Sequence, residues 1–181
     1  DTTYTGFEGS QKIMDSDVDV VLLATPPNYR PKQLEMAVAA GKHIFCEKPM
    51  AVDAPGIRRV LDAAKKAKEK NLSLVSGFCW RYHNPKRETF GRVLDGAIGN
   101  VQMIYNTYNT GALWLREVKP EWSDMKKKLR NWLYYSYLSG DHIVEQAIHS
   151  IDMMSWVLGD ANPVSATGTG GRQSRTAPEY G

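Results

Sequence analysis

The apolar positions of the chain fall into short runs separated by stretches in which they recur at helical spacing. Residues 18–24 read VDVVLLA, an almost continuous β-branched and aliphatic run of the kind found in a strand buried on both faces of a parallel sheet. Pro26 and Pro27 end it, because proline cannot donate to a ladder. A helix is predicted from Pro31, which suits a first helical turn, to Gly41, which suits the residue after the last, with Leu34 and Val38 on one face. A second strand over residues 43–46 runs into Glu47-Lys48-Pro49. Asp53 then caps a helix carrying Ile57, Val60, Leu61 and Ala64 at helical spacing, and lysines cluster at its C-terminal end, where they complement the dipole. A third strand over 72–76 closes at Gly77. This alternation with short links predicts a doubly wound parallel sheet, whose ligands bind at the carboxyl ends of the strands: residues 25–28, 47–49 and 78–82.

Beyond Arg81 the pattern changes. A helix over about 85–96 leads to residues 100–110, where Val101, Met103 and Tyr105 alternate with Gln102 and Asn106, as in a strand of an antiparallel sheet with one wetter face. An aromatic-rich section follows, with Trp114, Trp122, Trp132, Tyr134, Tyr135 and Tyr137. A long helix is predicted over about 141–158, stopping at Gly159, and a last strand-like piece over 164–169. The expected fold class is therefore α/β: the C-terminal part of a doubly wound parallel sheet in residues 1–80, then the start of an α+β domain with an open, mainly antiparallel sheet in 81–181.

Composition narrows the function classes without choosing one. The 181 residues are 42% hydrophobic, enough to close a core, and 23 Lys plus Arg against 20 Asp plus Glu give a net charge of only +3. No basic stripe is interleaved with aromatics, so neither nucleic acid nor an anionic membrane is expected as a partner. No run of about 18 apolar residues occurs. Two cysteines, Cys46 and Cys79, build no disulfide framework and read as small buried packing residues.

The sharpest chemical feature lies in DHIVEQAIHSIDMMSWVLG. His142, Glu145, His149 and Asp152 are spaced three, four and three apart, on one face of one helix, while Ile143, Ala147, Ile148, Ile151 and Trp156 cover much of the rest. Such a polar stripe faces a cleft or a polar interior, or is an ordinary wet face. A metal site is disfavoured, since the H-E-x-x-H order is absent, and no metal is expected. Proton transfer fits better, with one histidine as general base oriented by a carboxylate and acting on a substrate hydroxyl. Lys48, at a strand end between Glu47 and Pro49, supplies a cation, and Glu47 pairs with it or holds a cofactor hydroxyl. Arg81 is either a surface charge or a contact to a cofactor amide or phosphate.

Taken together and in order, VDVVLLATPPNYRP, GKHIFCEKPMAVDAPG, a strand ending in WRYH, and GDHIVEQAIHSIDMMSWVLG resemble the Gfo/Idh/MocA family, the glucose-fructose oxidoreductase and inositol dehydrogenase-like enzymes that use NAD or NADP. The resemblance implies a Rossmann-like first domain and a hydride transfer between nicotinamide and a secondary hydroxyl of a sugar, sugar derivative or cyclitol. It carries the lysine of the family's E-K-P motif onto Lys48 and its D-x-x-x-H pattern onto Glu145 and His149, as catalytic residues. Here Glu replaces the usual Asp, and Gly140-Asp141-His142 replaces a run of glycines. Cofactor contacts are expected from Thr25, Pro26, Asn28, Glu47, Lys48 and Arg81, and substrate contacts from Lys48, His142, His149 and Asp152. The family's G-x-G-x-x-G turn has no counterpart before Val18. The chain is therefore expected to be a fragment of a homo-oligomeric protein, cytoplasmic or exported. Two rival readings remain: a glycoside-cleaving enzyme that oxidises its substrate transiently with bound NAD, and a non-catalytic fragment.

Overall fold

The computed structural model describes residues 2–111, 113–174 and 176–177. They form two compact units, one of residues 1–77 with 132–141 and the other of 78–131 with 142–181. The division expected at residue 80 lies three residues from the first crossing, and nothing in the sequence marks the inclusion of 132–141 in the first unit.

The first unit is built on a three-stranded parallel sheet in the order β1 (Val20–Leu23), β2 (His43–Cys46), β3 (Leu74–Ser76). Val21 pairs with Ile44 and Ile44 with Leu74, so alternate residues of all three strands share a face. A short helix α1 (Gly9–Met14) precedes the sheet, α2 (Arg30–Ala39) joins β1 to β2, and α3 (Ala54–Glu69) joins β2 to β3. Val21, Leu23, Ile44 and Cys46 pack with Leu34, Ala37 and Val38 of α2 and Val60, Ala63 and Ala67 of α3 in one core. The α3 N-terminus forms as expected, with the Asp53 carboxylate accepting from the Gly56 amide at 2.7 Å. Gly41, past the end of α2, has φ +72°, which glycine adopts without strain.

Two expectations are corrected here. β1 is not buried on both faces: Val20 is 56% and Leu22 73% exposed, because α2 and α3 both pack on the Val21/Leu23 face. On α3 the inward stripe is Gly56, Val60, Ala63 and Ala67, and the bulkier Ile57 and Leu61 are exposed. Small residues let the helix approach α2 and the sheet closely, which rotates the larger side chains outward.

Residues 132–141 complete the first unit. After a 3-10 turn at Trp132–Tyr134, α6 (Ser136–Ser139) packs against the 3-10 turn Pro27–Tyr29. Tyr135, Leu138 and Ser139 are almost fully buried. Burial, and to a lesser extent the Tyr137 phenol, raises the pKa of the Tyr29 hydroxyl.

In the second unit a 3-10 turn at Cys79–Tyr82 is followed by α4 (Asn84–Leu94), α5 (Asp124–Arg130), α7 (Asp141–Glu145), which starts on the last residue of the first unit, and α8 (Ile148–Val157). Among its described residues there is no strand, so the expected antiparallel sheet is absent: 100–110 and 164–169 pair with no ladder. Residues 103–108 still alternate, with the opposite parity to that expected, while Val101 is half-buried and Gln102 exposed as the pattern predicts. Met103 and Tyr105 are 85% and 89% exposed, and Ile104, Asn106 and Tyr108 turn inward. The single helix expected over 141–158 is broken between α7 and α8. There the Ala147 amide bonds to the His142 carbonyl five residues back, a π-type irregularity in the ladder. No helix among the described residues is long and apolar enough to cross a membrane.

The corrected α3 face is checked by urea denaturation. Asp53→Ala costs about 1 kcal/mol through the lost cap, and Val60→Ala about 2 kcal/mol through a core cavity. Leu61→Ser changes stability by less than about 0.5 kcal/mol, whereas the face expected from the sequence makes it as costly as Val60→Ala.

Candidate active site

In the first unit the candidate groups lie where β1 and β2 leave the sheet. Their shared exit is held by Arg30, the first residue of α2, 4% exposed. Its Nε donates to the Thr25 carbonyl at 2.7 Å, and its Nη1 to the carbonyls of Glu47 at 2.9 Å and Pro49 at 2.7 Å. These carbonyls lie beyond the last ladder pair, Leu23 with Cys46, so the guanidinium fork takes over where the sheet ends. The Lys48–Pro49 peptide is cis. The Lys48 amide donates to the Glu47 carboxylate at 3.1 Å, which turns that side chain back over the loop. On the other side β3 is followed by Gly77, whose amide donates to the Cys46 carbonyl at 2.8 Å. A Cβ at Gly77 would stand 2.8 Å from the Glu47 carboxylate and 2.9 Å from its Cα, so only glycine permits this approach.

Of the residues expected at these ends, Glu47 and Lys48 are half-buried and Asn28 is exposed. Pro26 is half-buried beside the fully buried Pro27. The Thr25 hydroxyl donates to Gln33 Oε1, and the Gln33 amide donates to the Ser10 hydroxyl at 2.9 Å, so Thr25 is tied to α2 and α1. Cys46 is fully buried, and burial pushes its thiol pKa up to about 11.

In the second unit three of the four stripe residues, Glu145, His149 and Asp152, turn toward the protein, and His142 does not. Glu145 is 7% exposed and Asp152 is buried, while Ile143 on the same helix as Glu145 is 60% exposed, an inversion of the usual order. Glu145 accepts a hydrogen bond from the Gln146 amide nitrogen. His142 is exposed and meets the Tyr108 ring edge-on, centroids 6.2 Å apart, and His149 lies parallel to the same ring at 6.2 Å. The Tyr108 hydroxyl donates to Gln146 at 3.1 Å, and the Asn106 amide nitrogen reaches the Ser150 carbonyl at 3.4 Å. These bonds explain why Asn106 and Tyr108 turn inward: they reach Gln146, between α7 and α8, and the backbone of α8. The Asn131 side chain is likewise committed to backbone, pairing with both the amide and the carbonyl of Arg116.

Arg81 and Asp152 are joined to each other. Arg81 Nε donates to both Asp152 oxygens at 3.0 and 3.1 Å, and its two terminal nitrogens reach Asp160 at 2.9 and 2.6 Å. Hydrogen bonds first to Asp160 and then to Asp152 raise the Arg81 pKa, and the Asp160 carboxyl is held low by the same guanidinium. Both side chains therefore fasten the Cys79–Tyr82 turn to α8, whatever else they contact. Cys79, expected to be buried, is exposed, because the polypeptide leaves β3 before it and enters a surface turn.

Arg30 and Trp80 have no role in the sequence analysis, and Gly77 only that of closing the third strand. Arg30 had a legible signal: a cation in the first turn of a helix opposes the dipole, so it needs a compensating set of acceptors. Trp80, stacked on His149 with centroids 4.8 Å apart, had none beyond its neighbour Arg81.

Residues 3–74 are matched by the Gfo/Idh/MocA family model, described as an oxidoreductase family with an NAD-binding Rossmann fold. The chain is 31% identical over 154 residues to an inositol 2-dehydrogenase of Rhizobium meliloti, covering 85% of this chain and 40% of that protein. It is 29% identical over 167 residues to a levoglucosan dehydrogenase of Pseudarthrobacter phenanthrenivorans, covering 89% and 40%. Its fold is similar to a crystal structure of scyllo-inositol dehydrogenase from Lactobacillus casei with bound NAD(H) and scyllo-inositol, with TM-score 0.62, 25% identity, and coverage of 83% of this chain and 40% of that one. The chain thus spans about two fifths of the length of the curated relatives it matches.

The two thiols separate cleanly in this arrangement. At about pH 8, Ellman's reagent reacts promptly with Cys79, and with Cys46 only after denaturant is added, because a raised pKa leaves that thiol protonated. Two fast thiols in the native chain would contradict the burial of Cys46.

Proposed function

Because the chain belongs, through residues 3–74, to the Gfo/Idh/MocA oxidoreductases, we propose that the protein containing it oxidises a secondary hydroxyl of a sugar, sugar derivative or cyclitol with NAD or NADP. The substrate class is supported by relatives named inositol 2-dehydrogenase and levoglucosan dehydrogenase. The observation that carries the proton-transfer role is the buried carboxylate of Glu145 on a helix that leaves Ile143 in water. Burying a carboxylate is costly unless it is bonded and used, and a base-orienting group is such a use.

The donor set at the β1 and β2 ends fits the nicotinamide riboside portion of the cofactor. Glu47 offers a half-buried carboxylate to accept from ribose hydroxyls, Lys48 an ammonium, and Asn28 an exposed amide. Bound nicotinamide supplies the acceptor for the hydride that leaves the substrate carbon. His149 takes the hydroxyl proton, and Glu145 on the preceding helical turn orients the imidazole or relays that proton. The family resemblance assigns to Lys48 the stabilisation of negative charge on the reacting oxygen. Thr25 and Pro26 shape the backbone at the β1 exit. The family resemblance assigns Arg81 to the cofactor and His142 and Asp152 to the substrate, and the bond between Arg81 and Asp152 orients both side chains.

Turnover of a polyol panel by the whole protein tests this reading. Reduced nicotinamide should accumulate with at least one cyclitol or sugar, and His149→Ala should lower kcat at least ~100-fold, the usual contribution of a positioned base. Undiminished turnover in His149→Ala would overturn the assignment. Substrate cleavage without net reduced cofactor would replace it with the redox-assisted glycosidase.

A further inference from the structure

Trp80 is in direct stacking contact with the proposed base. The two rings lie 4.8 Å apart between centroids and 29° from parallel. The indole is held in place by its sequence neighbour: Arg81, forked between Asp152 and Asp160, fastens the Cys79–Tyr82 turn to the helix that carries His149. Tyr108 stands 6.2 Å from both rings and limits sideways rotation. The Lys86 ammonium of α4 lies over the same indole, 4.8 Å from its centroid.

We infer that Trp80 is a positioning residue for His149: its indole sets the plane of the imidazole and favours the protonated ring, the form His149 holds once it has taken a substrate proton. The inference rests on the reading of His149 as the base. An aromatic face carries negative electrostatic potential and attracts a cation over it more than a neutral ring. The indole therefore raises the proton affinity of His149. Lys86 acts in the opposite sense, since its fixed charge draws on the same indole and repels a second cation near it. The other ionisable groups that these contacts gather are Arg81 from the turn, Tyr108 from the extended segment, and His142, Glu145 and Asp152 from α7 and α8. Neither substitution removes any of these groups, so the opposite signs expected of the two distinguish the indole face from the Lys86 charge.

The test is a histidine titration by nuclear magnetic resonance on this chain, whose four histidines are labelled and whose His149 signal is identified by its loss in His149→Gln. Trp80→Leu should lower the His149 midpoint by about half a pH unit, Trp80→Phe should recover part of the shift, and Lys86→Met should raise the midpoint. A purely structural role moves none of these in opposite directions. An unmoved midpoint in Trp80→Leu, or shifts of the same sign in Trp80→Leu and Lys86→Met, overturns the inference. Should Trp80→Leu fail to fold, the Trp80→Phe and Lys86→Met pair decides it by the same signs. In the whole enzyme the acid limb of the kcat profile should move in the direction of each midpoint. If His149→Ala keeps full turnover while the titration shifts persist, the base assignment fails and the stacking effect stands. If the titration does not move while His149→Ala is inactive, the base assignment stands and Trp80 has no part in it.

Discussion

Where β1 and β2 leave the sheet, their carbonyls turn inward with no further strand to receive them, and one guanidinium answers three of them at once. Arg30 sits at the start of α2, where the helix dipole repels a cation, and it is almost wholly buried. Hydrogen bonds to a charged donor contribute about 1.5–3 kcal/mol each when the alternative is a stranded buried acceptor. That gain offsets both the dipole and the desolvation. The consequence is positional: the Thr25 end of β1 and the Glu47-Lys48-Pro49 end of β2 are fixed to one planar group, and with them the side chains that carry the proposed chemistry of the first unit. Gly77 contributes to the same end by letting β3 approach Glu47 without a Cβ between them.

The second unit solves a comparable problem with a second arginine. Arg81 is shared between Asp152 and Asp160, and the pairing fixes a surface turn to α8. Asp160 is largely exposed, so its share is weakened by solvent, and Asp152, nearly buried, is the firmer partner. The sign of the pH response follows. Since Asp160 has a depressed pKa when folded, its contribution is present above the ordinary Asp range near 3.9 and is lost as the pH falls through the lowered value. Hydrogen bonds from Asn106 to the Ser150 carbonyl and from Tyr108 to Gln146 turn those two side chains in beside Ile104, while Met103 and Tyr105 are in water.

Much of the first unit was legible because its signals are local. Prolines, a capping Asp53 and Gly41 after a helix set element boundaries through backbone chemistry that needs no distant partner, and β2 lies where its pattern places it. Errors arose where burial depends on what packs opposite. The run at 18–24 reads as doubly buried, yet only Val21 and Leu23 face helices. Ile57 and Leu61 outrank Ala63 and Ala67 in hydrophobicity, but close helix packing favours the small side chains. In the second unit the alternation at 103–108 was visible and its inward side was not, because Met103 and Tyr105 outrank Asn106 in hydrophobicity, while hydrogen bonds to Ser150 and Gln146 decide which side turns in. The stripe of His142, Glu145, His149 and Asp152 was legible from spacing, while the break at Gln146 and Ala147 and the stacking of Trp80 depend on tertiary contacts that carry no local mark.

Amide hydrogen exchange on Arg30→Met and Arg30→Lys measures the central constraint most directly. If the guanidinium holds the strand ends, both variants lose about 3 kcal/mol of stability. The Glu47 amide, bonded to the Leu23 carbonyl, and the Gly77 amide, bonded to Cys46, then exchange faster than the amides of α3. Lysine fails to rescue because it has the charge without the planar fork. Unchanged protection at Glu47 and Gly77 in both variants would contradict the role of Arg30 and show that the sheet ladder alone fixes these ends.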